Sequence, residues 1–592
     1  MATGLSFVIK RRFINVPLTQ RSHRAIGLMA MTFLMIGSCG LRLVQLQLIQ
    51  GAAHRERAEQ NRVVLMPMPA DRGNIVDRQG TLLAANRLAR SVYLRPREQS
   101  KEAWAATAKR LAPILKIPAE EILEKLKQTG FRSAVPVRIS RNLSLSAFIT
   151  LAEQSTYFPG LEIRGESSRY YPNGKLAAHV LGYIGEATEK DLKAHPDYSM
   201  GTLVGQMGIE RLANSKLQGV WGGQLVEVDA TGRQVNSLGL KPAISGQSVR
   251  LTLDANLQKT AEKALANRRG AVAVLDIKTG AVLALASGPT FDPNLFTRRI
   301  TKQEWQQLQS QENPFLNRAL QGYPPGSTFK VVTAIAGMQS GKFSPDSTLM
   351  TYAAINLGGH LFHEHGQSQG VIGFRDALAF SSNTFFYQVG LAAGPEAIAQ
   401  WGRKFGIGDL KNIGLSGGGH GMIPTPAQKE KLFNEPWYGG DTVSMSIGQG
   451  LVQTTPLELA AVYAAIANGG WRLKPHLLAD QSQTASMRPQ KMGINPGTLA
   501  VIREGLKSVV AEGTARQLND GSIPLTAGKT GTAEVVGQKD NAMFAGFAPF
   551  NNPKIAVAVV VENGGFGAES AVPIAHQIYK AYFKAQKNRA KS

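Results

Sequence analysis

From Ala25 to Leu41 the chain reads AIGLMAMTFLMIGSCGL without a single charge, and after Arg42 the apolar character resumes through LVQLQLI. Together these stretches reach the roughly 20 residues a helix needs to cross a bilayer. Residues 26–48 are therefore expected to form a membrane anchor behind a basic tail, 1–25. A buried core helix is the alternative, and the basic flank weighs against it: Lys10, Arg11, Arg12, Arg21 and Arg24 precede the run with no acid among them. By the positive-inside rule that flank stays cytoplasmic and everything after the anchor goes outward.

Beyond the anchor, residues 49–250 alternate short β-like runs with polar loops, with one amphipathic helical stretch near 101–128. Glycine and proline punctuate this region, as they do in an irregular or extended module, and no cluster of catalytic residues stands out in it. The second part, 251–592, opens after a turn at Ser245-Gly246-Gln247. There the alternating run Val249 to Leu253 predicts an entering strand. Residues 271–288 (AVAVLDIKTGAVLALASG) predict a hairpin turning at Lys278-Thr279-Gly280, helical patterns dominate 326–470, and 555–562 returns to strand. The carboxy-terminal PIAHQIYKAYFKAQKN predicts an amphipathic helix. The sum is a multidomain α/β chain: one transmembrane helix, a β-rich pedestal, then an antiparallel sheet with flanking helices and a helical subdomain.

Composition changes this picture little. The 592 residues are 43% hydrophobic and 18% charged, too many for one compact core. The net charge of +24 permits a nucleic acid, an anionic membrane face or an anionic polymer as partner. Both ends carry basic groups without an acid, the last being Lys580, Lys584, Lys587, Arg589 and Lys591. Elsewhere they are spread without the Arg- and aromatic-rich pattern of a nucleic-acid module, so no nucleic-acid partner is expected. The single cysteine, Cys39, excludes an intramolecular disulfide. Ile36-Gly37-Ser38-Cys39 loosely matches a lipoprotein cleavage box, but the apolar run continues past it as in a retained anchor.

Three short segments carry candidate chemistry. In Pro324-Pro325-Gly326-Ser327-Thr328-Phe329-Lys330 a turn leads into helical spacing, which sets Ser327 at a helix amino terminus and Lys330 one turn later on the same face. A serine hydroxyl needs a base, and a lysine with a lowered pKa can serve. Ser381-Ser382-Asn383 sits between two helical patterns, where a hydroxyl can relay a proton and an amide can bind a peptide carbonyl. Lys529-Thr530-Gly531-Thr532 lies in a β-like run, and its cation suits a carboxylate. Each alone reads equally as a cap, a loop or a surface turn. Their order behind an anchor is what chance makes poorly.

That order resembles the penicillin-recognising serine acyltransferases, whose three motifs converge on one cleft. Arg72-Gly73-Asn74-Ile75-Val76-Asp77-Arg78, Gly208-Ile209-Glu210 and Asp229-Ala230-Thr231-Gly232-Arg233 look like the pedestal signatures of class B penicillin-binding proteins. Ser446-Ile447-Gly448-Gln449-Gly450 and Phe547-Ala548-Pro549 fit the same family. The resemblance implies a peptidoglycan D,D-transpeptidase with Ser327 as acyl nucleophile and Lys330 as its base, while Ser381 and Lys529 relay a proton to the leaving amine. Asn383 would hold the donor amide, and Lys529, Thr530, Gly531 and Thr532 the donor's carboxylate end. The N–H groups of Ser327 and Thr532 would form an oxyanion hole. The ligands implied are stem peptides and β-lactams, and the implied partner is a lipid II polymerase of the SEDS class. Val226-Glu227-Val228-Asp229 and the 539–565 stretch lean toward the elongation type over the division type.

One departure stands out. Some elongation-type members hold a metal with Asp, His and Cys between the first two motifs. Here His360, His363 and His365 cluster, but Ser382 stands where the cysteine would be, so neither metal nor other cofactor is expected. A carboxypeptidase or β-lactamase shares the acyl-enzyme and remains the nearest enzymatic rival. A β-lactam sensor would need a signalling module, and only residues 1–25 lie on the cytoplasmic side of the expected anchor.

Overall fold

The computed structural model describes residues 18–52, 63–133, 135–196, 198, 201–229, 234–310, 312–409, 413–415, 417–483 and 487–589. Lys10, Arg11, Arg12, Lys591 and the Ala230–Arg233 part of the pedestal signature lie outside the described residues. The chain divides into two compact units, Met1–Met68 with Gly222–Pro242, and Pro69–Trp221 with Ala243–Ser592.

In the first unit a helix runs unbroken from Leu18 to Val44, through the exposed Cys39, and ends in a π-helical turn at Gln45–Ile49. Ala25–Ile49 is long and apolar enough to cross a membrane, and none of it is buried by the protein. Ile26, Phe33 and Leu34 are 61%, 71% and 76% exposed, which an aqueous surface would penalise and lipid would not. The same unit holds an antiparallel sheet of Val63–Met68, Gly222–Val228 and Gln234–Lys241, with 222–228 in the middle.

The second unit begins with a sheet built on the long strand Leu82–Leu94, which pairs with Ile75–Val76, Val137–Ser140 and Leu161–Tyr170. The helical stretch expected near 101–128 is two helices, Lys101–Leu115 and Ala119–Thr129. Lys116 turns left-handed (φ 55°) to close the first, and Pro118, which has no N–H to continue a helix, starts the second. The strand expected over 249–253 keeps only Val249–Arg250, paired in parallel with Ile75–Val76. Leu251 N–H still donates to Val76 O (2.8 Å), but Leu251 also bridges to Leu478 and Thr252 N–H donates to Leu477 O (2.8 Å), so the chain turns away to a second partner there.

The chain then forms helix α1 (Ala255–Leu265), capped by the Asp254 carboxylate, and the expected hairpin β1 (Gly270–Asp276) and β2 (Val282–Gly288). Helices α2 (Lys330–Gln339), α3 (Phe374–Ala379), α4 (Asn383–Ala393), α5 (Pro456–Ala467) and α6 (Pro496–Ala511) follow. Strands β3 (Ala527–Ala533), β4 (Asn541–Ala548) and β5 (Ile555–Val561) and the terminal helix α7 (Val572–Arg589) complete the unit. The sheet order is β2-β1-β5-β4-β3, antiparallel throughout.

These strands read as unbroken apolar runs because both faces are covered. On β1, Ala271, Ala273 and Leu275 join the core containing α2 and α5, whereas Val272 and Val274 pack with Leu257 of α1 and Ile574 and Ile578 of α7. The helical region expected over 326–470 also holds two short antiparallel strand pairs, Thr348–Met350 with Val371–Gly373 and, between them in sequence, the hairpin Ala354–Leu357 with His360–His363. Its two-residue turn, Gly358-Gly359, takes φ of 60° and 87°, and a Gly-Gly pair at such a turn favours a hairpin over a helix.

Candidate active site

Ser327 lies on a 3-10 turn, Gly326–Phe329, that feeds directly into α2, so Lys330 follows one turn later as the sequence spacing predicts. The turn is pinned across the sheet. Gly326 has φ of 53° and approaches β3 so closely that a Cβ there would meet the Thr532 carbonyl oxygen at 2.5 Å. Only glycine tolerates both demands. Gly326 N–H also donates to Gly448 O (2.9 Å), within the Ser446–Gly450 stretch.

Lys330 is fully buried. Its Nζ donates to Ser381 O (2.7 Å), Ser381 Oγ (3.3 Å) and Asn383 Oδ1 (2.7 Å), and lies 5.6 Å from the centre of the Phe386 ring. Burial, then the charge of Lys529, push its pKa well below the usual amine range, while Glu364 opposes the shift. Ser327 Oγ makes no hydrogen bond among the described residues. The first and second motifs are thus joined by direct contact through Lys330.

Ser381 occupies the left-handed region (φ 61°), uncommon for a residue with a Cβ, and is 4% exposed. That conformation belongs to the linker between α3 and α4, where Ser382 caps α4 by accepting from Phe385 N–H (3.3 Å).

Lys529 comes from β3, the outer strand of the sheet, and is likewise fully buried. Its Nζ donates to Thr530 O (3.2 Å), and burial lowers its pKa to about 7. Thr530 Oγ1 pairs with Thr514 Oγ1, and the Thr532 carbonyl accepts from Gln449 Nε2 (3.3 Å). An outer strand leaves one row of backbone groups unpaired by its own sheet, the arrangement a bound peptide needs to add itself as a further strand.

Sequence reasoning missed Glu364. Its carboxylate accepts from Ser382 Oγ (2.6 Å), Thr384 Oγ1 (2.6 Å), Thr384 N–H (3.1 Å), His365 N–H (2.7 Å) and Asn383 N–H. These bonds hold the carboxylate below its ordinary range against burial. A signal was present: α4 has no acid in its first turn to offset its amino-terminal dipole, and the 354–363 hairpin supplies one from outside. Of the three histidines, His365 bonds this glutamate through its backbone N–H. His360 and His363 stand on the hairpin's second strand, and partial burial with the nearby Lys330 and Lys529 lowers the pKa of His365. Ser382 spends its hydroxyl on Glu364.

A buried amine one helical turn from a serine, a second buried amine on the outer strand of an antiparallel sheet, and a Ser-x-Asn segment between two helices in contact with the first amine match a serine acyltransferase of the penicillin-recognising kind. The chain belongs to the class B penicillin-binding proteins: residues 270–580 match the penicillin binding protein transpeptidase domain and residues 67–251 the penicillin-binding protein dimerisation domain. It is 34% identical over 594 residues to the peptidoglycan D,D-transpeptidase MrdA of Acinetobacter baumannii, covering 95% of this chain and 87% of that one. Among solved structures it resembles the complex of penicillin-binding protein PBP2 with MreC from Helicobacter pylori (TM-score 0.78, 29% identity, 88% of this chain and 99% of that one). A peptidoglycan synthase complex that couples polymerisation and crosslinking is also similar (TM-score 0.71, 33% identity, 95% of this chain and 98% of that one).

Proposed function

We propose that the chain is an elongation-type peptidoglycan D,D-transpeptidase in which Ser327 forms the acyl-enzyme. The observation that carries the reading is the fully buried Lys330 amine, one turn from Ser327 and held on Ser381 and Asn383. Desolvation and a neighbouring cation both favour the neutral amine, and a neutral amine accepts a proton. Ser327 Oγ attacks the carbonyl carbon of the penultimate D-alanine and gives its proton to Lys330. The C–N bond then breaks, and the departing D-alanine amine takes up a proton delivered through Ser381 with Lys529. An acceptor amine next attacks the ester, forms the cross-link and returns Ser327 to its hydroxyl. Asn383 holds the donor amide, and Lys529, Thr530, Gly531 and Thr532 hold its carboxylate end. The N–H groups of Ser327 and Thr532 stabilise the oxyanion, each such donor being worth about 3 kcal/mol of barrier.

The Ala25–Ile49 helix anchors the protein in the cytoplasmic membrane, with the basic tail inside and the second unit outside. The relatives named above pair with MreC or sit in a synthase complex, and a SEDS-type polymerase is the partner proposed for this chain. Fluorescent penicillin labelling tests the assignment. Wild type takes the label and Ser327→Ala takes none; equal labelling of the two ends the proposal. Label that persists on wild type, together with localisation to the lateral wall, separates an elongation transpeptidase from a β-lactamase and from a division enzyme.

A further inference from the structure

Outside the catalytic site, a cleft with an interior volume of about 80 Å³ opens in the pedestal part of the second unit, bordered by Arg72, Arg138, Arg141, Arg169, Asn142 and Trp221. Among the described residues, two of its lining side chains carry buried polar atoms with no partner, Arg169 Nη2 and Asn142 Oδ1. Neither can turn away. Arg169, 2% exposed, is fixed by Nε on Glu210 (2.6 Å) and Nη1 on Gly73 O (2.8 Å). Asn142 is fixed by Nδ2 on Thr297 O (2.8 Å), a contact only the amide nitrogen can make, so its carbonyl oxygen is the unpaired atom.

Charge in this cleft is also out of balance. Glu210 is shared between Arg72 and Arg169, both at 2.6 Å, so one carboxylate faces two guanidinium groups inside the fold. Arg138 and Arg141 crowd the same Gly201 carbonyl at 3.0 and 2.8 Å. Their carboxylate neighbours are Glu166, 3.7 Å from Arg138, and the largely exposed Glu186, 3.2 Å from Arg141. Burial and the neighbouring Arg138 lower the Arg141 pKa to about 10, so an incoming anion relieves strain already present.

We propose that this cleft binds a carboxylate-bearing ligand with an N–H or O–H donor beside the anionic group, as in a sugar acid or an N-acyl amino acid. The carboxylate meets Arg169 and Arg141, the donor meets Asn142, and the apolar side lies against Trp221. Both ligand types share one chemistry, and the experiment separates them. Full-length protein in detergent is titrated calorimetrically with N-acetylmuramic acid, N-acetylalanine, uncharged N-acetylglucosamine and inorganic phosphate. One or both of the first two bind wild type, and whichever binds more tightly assigns the source, while the last two do not bind. Arg141→Gln weakens that binding about tenfold. Asn142→Gly, which keeps the left-handed backbone (φ 50°), weakens it similarly. Both variants take up fluorescent penicillin as wild type does, so the result is independent of the catalytic assignment. No binding by either carboxylate, phosphate binding equally well, affinity unchanged in both variants, or a crystal grown with the probe that shows only water in the cleft would each overturn the proposal.

Discussion

At the scale of single residues the site rests on two amines kept out of water. Burial lowers Lys529 to about 7, so the empty site at neutral pH holds both ammonium and free amine. A carboxylate ligand favours the ammonium. Binding of a carboxylate-bearing β-lactam therefore takes up a proton wherever the empty site is neutral, above about pH 7. Affinity in the non-covalent complex falls as pH rises through that range, by up to about tenfold per pH unit. Calorimetry in two buffers of different ionisation heat reads the proton directly, and zero uptake at alkaline pH would refute it. The same shift costs stability. A lysine whose folded pKa lies below its unfolded value of 10.5 leaves the fold unpenalised above 10.5 and progressively penalised down to about 7. Lys529→Met is accordingly expected to be inactive yet more stable than wild type at neutral pH, by a few kcal/mol at about the upper end. In thermal melts that advantage narrows as pH climbs.

At the scale of elements the decisive piece is the hairpin 354–363, which leads Glu364 onto the amino terminus of α4. Because α4 begins at Asn383, whatever steadies its first turn also steadies the Asn383 amide and the Ser381 groups on Lys330. Glu364→Gln keeps the shape but replaces a charged acceptor of several hydrogen bonds. Acylation is expected to slow about tenfold or more, with a loss of stability of about 1–2 kcal/mol. Stopped-flow acylation beside a melt separates this from general unfolding, because Ser382→Ala, which removes the cap, should cost a similar stability of about 1 kcal/mol. The three motifs were legible in the sequence because each is local: a turn before a helix, a loop between helices, a strand. The β1–β2 hairpin and α7 were legible for the same reason. Glu364 was not, since its partners other than His365 lie 18 to 20 residues away and its own neighbours are histidines that draw attention to metals. The short strand at 249–250 was misread because alternation reveals a face and not its length or its partner.

At the scale of the whole second unit, the pedestal is not a loose appendage of the catalytic part. One hydrophobic core includes Ile75, Leu83, Val180 and Leu217 together with Ala271, Ala273 and Leu275 of β1. In the buried Arg72–Glu210–Arg169 group, Arg72 and Glu210 belong to the pedestal signatures read in the sequence; the group joins Arg72, just before the strand Ile75–Val76, and Arg169 of the strand Leu161–Tyr170 to the short helix Gly208–Leu212. Glu210→Gln leaves two interior cations facing each other and is expected to destabilise the unit by about 3–5 kcal/mol, measured by denaturant unfolding. Arg72→Lys should cost less, because the charge survives although the fork of hydrogen bonds does not.

The closeness of Gly326 to Thr532 links the turn that carries Ser327 to a strand made two hundred residues later in the chain. A ribosome or translocon that has delivered only the earlier portion has therefore produced a serine with no wall to lean on. Chemistry switches on late, when the last strands slot into the sheet, and a growing chain is spared from reacting with antibiotic or wall before it is finished. Uptake of a penicillin dye then doubles as a clock for maturation: chains cut short before residue 527 should stay dark however long they are incubated.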